Sequence, residues 1–204
     1  MPISEVYNMD CLEYMRGLPD KYFDLCIADP PYGINAAKMT MGNGKNKQWT
    51  KKGWDSSIPS DDVFHEILRV SKNSIIWGGN YFNLPQSRAW IVWDKGIDGS
   101  SSFADGELAW TNFDRVLRIA KVRYQGFLGS DTCRIHPTQK PVALYAWLLD
   151  KYSIVGGVRF STRSLVVGHR ASRRTRKGLI SMRVRLMRTT SRRRRNDSNV
   201  SVWV

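Results

Sequence analysis

The sequence predicts an α/β fold in which a mostly parallel sheet is covered by helices. Short apolar runs that end in turn residues alternate with segments of helical apolar period along residues 1–157. This alternation is typical of sheets whose strands are joined by helical crossovers. The length of 204 residues suits one domain with a sizeable core.

Each element is predicted from its local pattern. A short strand, a turn at residues 8–10 and a helix come first, followed by the strand "FDLCIA" and a polar, glycine-bearing loop over residues 35–56. The segment "PSDDVFHEILRVSK" predicts a helix with Ser60 at its N-cap. The later segments predict the strands "NSIIWGGNYF", "RAWIVWDK", "GELAWTNF" and "VLRIAKV" and a helix that continues from "HPTQKP".

Polar and aromatic residues follow several of the predicted strands. The motif Asp-Pro-Pro-Tyr at residues 29–32 comes directly after an apolar strand, and its prolines break regular structure there. In parallel sheets, ligands bind beyond the carboxyl ends of the strands. We therefore expect residues 29–32, 77–82 and 94–95 to lie together at one ligand-binding edge.

The Asp-Pro-Pro-Tyr motif can act as a receptor for an amino group. The Asp29 carboxylate and the Pro30 carbonyl can each accept one hydrogen from an –NH2 group, which turns the nitrogen lone pair toward an electrophile. Proline fixes its own φ and so pre-organises the two acceptors. Tyr32 can supply a flat face for stacking a base, worth roughly 1–3 kcal/mol, once that base has left its helix. A tight turn in which Asp29 is only a cap is the structural alternative.

The charge is unevenly distributed along the chain. The net charge is +14, but residues 158–204 hold 14 Lys and Arg against one acid, whereas residues 1–157 hold 18 basic and 17 acidic residues. The basicity therefore belongs to the C-terminal tail. The three cysteines lack metal-ligand spacing and predict reduced thiols in a cytosolic protein. No run approaches the roughly 20 apolar residues of a membrane span.

The quoted segments, taken together, resemble the amino-group DNA methyltransferases. "NMDCLEYMRGLPDKYFDLCIADPPYGI", "IIWGGNYF", "WIVWDK", "FADGELAW" and "HPTQKPVALYAWLL" look like segments of that family in the family's order, from about residue 4 to 157. The resemblance implies a Rossmann-like, doubly wound sheet. It also implies methyl transfer from S-adenosylmethionine to the N6 amino group of adenine in double-stranded DNA with base flipping, without a metal or a covalent intermediate. Small enzymes of this kind suit phages and bacterial restriction systems.

The resemblance also assigns roles to individual residues. It implies that the catalytic pocket is formed by Asp29, Pro30, Pro31 and Tyr32. It implies that the methyl donor is bound near Asp10 and by the segment containing His136, Thr138, Gln139 and Lys140. Residues 35–56 and about 96–132 are the candidate segments for recognition of the DNA sequence.

The family pattern stops near residue 157. A donor-binding loop of the form D-x-x-x-G-x-G and a later acidic residue are expected after "HPTQKP", but residues 158–204 do not contain them. Back-translation from Val158 in the shifted reading frame permits "D-T-x-x-G-S-G-S-x-x-I-A-A", then Gly, then "E-I-D". We infer a frameshift close to Gly157, which predicts an incomplete sheet with an exposed edge, a disordered or poorly packed tail, and little or no activity in this chain.

Other functions fit parts of the sequence. The substrate amino group can instead be N4 of cytosine or belong to RNA, and Asp29 argues against a protein amide. A non-catalytic protein that binds nucleic acid through its basic tail is the alternative outside the enzymes. That alternative predicts binding that depends steeply on salt concentration and is lost when residues 158–204 are removed.

Overall fold

The computed structural model describes residues 4–35, 55–97, 99, 104–123, 140–152, 163–169 and 181–188. These residues form strands, three α-helices and a 3₁₀ turn at Gly79–Tyr81. The strands are β1 (Ser4–Asp10), β2 (Phe23–Asp29), β3 (Ser71–Trp77), β4 (Ile91–Asp94), β5 (Gly106–Thr111), β6 (Arg118–Lys121), β7 (Arg163–His169) and β8 (Ser181–Arg188). The α-helices are α1 (Cys11–Arg16), α2 (Asp61–Val70) and α3 (Val142–Tyr152).

The strands form one mixed sheet in the order β1-β8-β7-β2-β3-β5-β4-β6. The pairs β7–β2, β2–β3 and β4–β6 are parallel, and the other four pairs are antiparallel. The predicted α/β class is confirmed, and the sheet is compatible with a Rossmann-like fold. The expectation of a mostly parallel sheet is wrong. One reason is that β4 and β5 are joined by the short segment 95–105, which favours antiparallel pairing because a parallel crossover needs about a dozen residues or more.

The N-terminal elements differ slightly from the prediction. Residues 8–10 were expected to form a turn, but β1 runs through them and ends at Asp10, which is the N-cap of α1. The Asp10 side chain accepts a hydrogen bond from the Glu13 amide at 2.9 Å, so the strand passes directly into a capped helix. Ser60 is the N-cap residue of α2, as predicted, although its side chain makes no cap hydrogen bond.

Strand β2 is buried between helices on both faces of the sheet. Helices α1 and α2 contribute to the apolar cluster that contains Cys26 and Ala28, and α3 contributes to the cluster that contains Leu25 and Ile27. Burial on both faces explains why the segment that ends at Asp29 is almost continuously apolar. None of the helices within the described residues is long and apolar enough to cross a membrane.

Two segments of the basic tail are strands of this sheet. Strand β7 pairs in parallel with β2, and β8 lies between β7 and β1. Residues 163–169 and 181–188 are therefore strands and not the disordered segments expected for the tail, and β2 has a paired strand on each side. The sequence carries a physical reason. Leu165, Val166 and Val167 form an apolar run with two β-branched valines, and apolar residues alternate with arginine over "MRVRL". The inferred frameshift itself remains a prediction.

A proline in β7 tests whether the tail contributes to the sheet. Val166 pairs with Ile27 on one side and Arg185 on the other. We expect Val166→Pro to lower the free energy of unfolding by more than about 2 kcal/mol, because proline cannot donate to the sheet and leaves a strand acceptor without its partner. Urea unfolding followed by circular dichroism measures the change. Val166→Thr is the control because threonine keeps both the N–H group and the β-branched shape. Equal stability of the two variants would contradict the position of β7 between two strands.

Candidate active site

The loop after β2 is fixed by a buried carboxylate. Gly33 has a φ of +72°, a conformation that favours glycine, and its amide donates a hydrogen bond to Asp55 Oδ1 at 2.9 Å. The Asp55 backbone carbonyl accepts a second hydrogen bond from the amide of Asn35, also at 2.9 Å. Asp55 is only 2% exposed. These contacts hold the chain immediately after the Asp-Pro-Pro-Tyr motif in one conformation.

The loop after β3 supports the Tyr32 ring. Gly78 follows β3 with a φ of +68°, and a Cβ atom added there would lie 2.3 Å from a carbon of the Tyr32 ring. Tyr81 stacks on Tyr32 with ring centroids 5.1 Å apart and planes 15° apart. The ends of β2 and β3 therefore meet at one edge of the sheet, as the sequence predicts. Tyr32 packs between neighbours, whereas Tyr81 is 43% exposed.

Three charged side chains surround the Tyr32 hydroxyl, and a fourth contacts one of them. Lys140 Nζ lies 2.6 Å from Asp29 Oδ1 and 3.1 Å from Glu107 Oε2. Lys140 Nζ also donates to the Tyr32 hydroxyl oxygen at 3.0 Å. The same hydroxyl lies within donating distance of Asp29 Oδ1 at 3.1 Å and Glu107 Oε2 at 3.2 Å. Lys95 Nζ completes the cluster at 2.9 Å from Glu107 Oε1.

Aromatic rings line the cationic part of this cluster. Lys140 Nζ lies 5.2 Å from the centroid of the Trp77 ring and 5.5 Å from that of Tyr32. Lys95 Nζ lies 5.2 Å from the centroid of Trp93. All three distances fall within the range in which the face of an aromatic ring attracts a cation. The Lys140 side chain is 4% exposed, so its charge is largely excluded from water and its attraction to the two carboxylates is strong.

Burial and charge act together on the protonation of the cluster. Burial raises the pKa of Asp29 above its ordinary value, an effect that the Lys140 ammonium opposes. Burial also acts to raise the pKa of Glu107, but the charges of Lys140 and Lys95 outweigh it and lower that pKa to about 2. Burial acts to lower the pKa of Lys140, yet the two carboxylates raise it. The pKa of Tyr32 is raised well above its ordinary value, first by burial and then by the carboxylates, so its hydroxyl keeps its proton at neutral pH.

The cluster leaves one acceptor on Asp29 for a ligand. The hydrogen bonds that Asp29 accepts from Lys140 and Tyr32 within the described residues both fall on Oδ1. The other carboxylate oxygen, Oδ2, can accept a hydrogen from an incoming donor. The Asp29 side chain is 15% exposed, so it is sheltered without being sealed from solvent. This arrangement suits the binding of a neutral N–H group beside a planar aromatic surface.

The structure brings together some of the predicted site residues. Asp29, Tyr32 and Lys140 are in contact, and Pro30 and Pro31 are buried beside them in the chain. Asp10 serves as the cap of α1. Several predicted residues lie outside the described residues: His136, Thr138 and Gln139, and residues 36–54, 98, 100–103 and 124–132 of the recognition segments.

The predicted strand ends at Trp77 and Lys95 both contribute to the site, one by a buried ring and the other by a charge. Trp77 is fully buried and contacts Lys140, and Lys95 joins the charged cluster through Glu107. Glu107 was not predicted as a site residue. Its signal in the sequence is an acid within the apolar strand segment "GELAW", which indicates a carboxylate that needs a buried partner.

The two described cysteines have no nucleophilic character. Cys11 and Cys26 are free thiols, each buried in the core. Burial raises the pKa of each thiol to about 12, so neither is a thiolate at neutral pH. The expectation of reduced thiols is confirmed for this pair. Cys133 lies outside the described residues.

Comparison with known proteins assigns no family. No protein-family profile matches the chain, and no curated protein matches it significantly. Among the residues that the structure describes, no group of three or more His, Cys, Asp and Glu side chains could hold a metal ion. The functional argument therefore rests on the residues of the site.

Replacement of Gly78 tests the contact between the two loops. We expect Gly78→Ala to lower the free energy of unfolding by about 2–4 kcal/mol, because alanine is strained at this φ and its methyl group would overlap the Tyr32 ring. Urea unfolding measures the change. Gly17→Ala is the matched control, since its φ is −78° and an added Cβ would make only an ordinary contact at 3.5 Å. A similarly small effect of both substitutions would contradict the described packing of Tyr32.

The pH dependence of stability tests the burial of Glu107 among cations. The folded-state pKa of about 2 lies below the ordinary value of 4.5. Glu107 therefore contributes stability above about pH 4.5, and this contribution is lost as the pH falls toward 2. We expect Glu107→Gln to remove that part of the acid sensitivity and to lower the free energy of unfolding at pH 7 by roughly 2–3 kcal/mol. Urea unfolding at a series of pH values measures both effects. Unchanged acid sensitivity in the variant would count against the ion pairs.

Proposed function

We propose that the chain derives from an S-adenosylmethionine-dependent DNA methyltransferase that modifies the N6 amino group of adenine. The observation that carries the proposal is Asp29, a sheltered carboxylate at the end of a buried strand with one oxygen free to accept from a ligand. Its proline neighbours and the aromatic residues beyond them match a receptor for the amino group of a planar base. The resemblance of residues 4–157 to the family supplies the reaction class.

The residues of the chain can bind and orient the amino group. Asp29 Oδ2 and the Pro30 carbonyl each accept one amino hydrogen, so the nitrogen lone pair points away from both acceptors. Charge that develops on the nitrogen as it forms a new bond is stabilised by the nearby carboxylate. Asp29 can then take the proton that the alkylated nitrogen must lose, and its raised pKa favours this transfer.

The aromatic surface of the proposed pocket is provided by Tyr81. Tyr32 was expected to offer its face to the base, but Tyr81 stacks on Tyr32, and Gly78 lies against the Tyr32 ring. Tyr81 is the more exposed of the two rings and lies parallel to Tyr32. A base that stacks on Tyr81 extends this pair into a three-layer stack, which is tolerant of base identity.

The residues expected to hold the methyl donor do not complete a donor site within the described structure. Lys140 is enclosed by two carboxylates and a hydroxyl, and the Asp10 carboxylate caps a helix. The glycine-rich loop that would approach the donor is absent from the sequence after Gly157. We therefore expect this chain to bind S-adenosylmethionine weakly or not at all, and to be inactive or only feebly active.

Donor binding and methyl transfer test the proposal. Calorimetry with S-adenosylmethionine is carried out on this chain and on a frame-shifted version. In the frame-shifted version, the codons after Gly157 are read in the alternative frame that permits the donor-binding loop. We expect binding only by the frame-shifted version, which should also methylate adenine in double-stranded DNA. Asp29→Ala should reduce that methylation by a factor of at least about 100, because the receptor for the amino group is removed. Asp114→Ala is the control, since the Asp114 side chain is 90% exposed.

The outcomes separate the alternatives. Binding of the donor by this chain as it stands would contradict our interpretation of residues 158–204. Methylation of cytosine or RNA in place of adenine would keep the reaction class and change the substrate. Equal activity of the Asp29→Ala and Asp114→Ala variants would overturn the role of the Asp-Pro-Pro-Tyr motif.

A further inference from the structure

Lys140 is fully engaged by groups of the protein. An ammonium group has three N–H donors, and Lys140 Nζ has three acceptors at hydrogen-bond distance. These are Asp29 Oδ1 at 2.6 Å, the Tyr32 hydroxyl at 3.0 Å and Glu107 Oε2 at 3.1 Å. The side chain is 4% exposed, so water does not replace these partners. The ammonium group thus makes two hydrogen bonds and a further ion pair inside the protein, which disfavours a contact with the carboxylate of a bound small molecule.

These internal contacts of the Lys140 ammonium group point to a role at Asp29 and not at the methyl donor. The resemblance implies that the segment of Lys140 contacts the amino-acid end of the methyl donor, which would require a free N–H group directed at an anion. In the structure the Lys140 charge is instead directed at the carboxylate of the Asp-Pro-Pro-Tyr motif. The contact of Lys140 Nζ with Asp29 Oδ1 is the shortest ion pair of the cluster.

Glu107 completes the arrangement from a different strand. It lies on β5, where its two oxygens contact two lysines, Lys140 through Oε2 and Lys95 through Oε1. With Asp29, the cluster holds two carboxylates and two ammonium groups, so it is neutral as a whole. Neutrality matters because an unpaired charge at this depth would cost several kcal/mol. Glu107 therefore allows Lys140 to remain charged beside Asp29 without leaving an excess of positive charge.

We propose that Lys140 and Glu107 are positioning residues that fix Asp29 by its Oδ1 atom and so reserve Oδ2 for the amino group of the substrate. The identity of that substrate rests on the proposed function, whereas the positioning network itself does not. Lys140 reaches Asp29 from the segment before α3, and Glu107 holds Lys140 from β5. The orientation of Asp29 is therefore set by chain segments that are distant in the sequence.

The titration of Asp29 tests the network without any substrate. The full chain is labelled with ¹³C at the aspartate carboxyl carbons, and the Asp29 resonance is identified by its loss in Asp29→Asn. The groups that act on Asp29 are Lys140, Tyr32 and Glu107, and the Asp29 charge also reaches Tyr145. We expect Lys140→Met to move the Asp29 midpoint to higher pH. We expect Glu107→Gln to move it to lower pH, because a negative neighbour is removed.

Two controls keep the result interpretable. Asp114→Asn breaks an exposed ion pair with Arg88 and should leave the Asp29 midpoint in place. Glu107→Gln is nearly isosteric, so it tests the network even if Lys140→Met fails to fold, which circular dichroism would reveal. An Asp29 midpoint that does not move in Glu107→Gln, or that moves equally in Asp114→Asn, would overturn the proposal.

A second measurement separates the network from the reaction class. In the frame-shifted version, Lys140→Met should lower the methylation rate by about a hundredfold, as expected for a displaced reacting group, while the affinity for S-adenosylmethionine stays within about twofold. A large loss of donor affinity would instead place Lys140 at the donor and overturn its positioning role. If the frame-shifted version methylates nothing but the Asp29 midpoint moves as expected, the proposed function fails and the network stands.

Discussion

A buried ammonium group must find negative partners, and this requirement organises the candidate site. Lys140 is 3% exposed, and its cost of desolvation is offset only because two carboxylates and a hydroxyl surround it. Asp29 precedes it by 111 residues in the chain and comes from the end of β2. Glu107 comes from β5. The ion pairs therefore join the end of one strand, the start of another and the segment before α3 at a single point.

The aromatic residues of the site contact the same charged cluster. Tyr32 donates or accepts within the charged cluster through its hydroxyl, while its ring is held by Tyr81 and Gly78. Trp77 adds an electron-rich face to the Lys140 ammonium, and its own indole N–H is buried without a hydrogen-bond partner among the described residues. The position of Trp77 is thus set by packing and by its attraction to a cation. Removal of the Lys140 charge would remove the cation–π attraction that acts on the Tyr32 and Trp77 rings.

The location of the site could be predicted from the sequence, but the contacts between its charged side chains could not. Two prolines after an apolar run place Asp29 at a strand end, and the general behaviour of parallel sheets then places it near Trp77 and Lys95. The contact with Glu107 depends on the order of strands, in which β5 lies between β3 and β4. The short segment 95–105 favours the antiparallel pairing of β4 with β5, whereas the pairing of β5 with β3 depends on the three-dimensional arrangement. Lys140 was predicted at the site through a resemblance, and its partners came only from the three-dimensional arrangement.

The tail shows why strand formation and ligand binding make different demands on a sequence. Strand β7 pairs in parallel with β2 up to the match of Gly168 with Asp29, so it reaches the edge where a ligand would bind. A strand in this place needs apolar and β-branched residues with N–H groups, and many sequences meet that need. A loop that binds a nucleoside needs glycines and an acid at fixed positions, and few sequences meet that need. Residues 163–169 and 181–188 can therefore complete the sheet without containing a ligand-binding loop, because the physical requirements for strand pairing are far weaker than those for recognition.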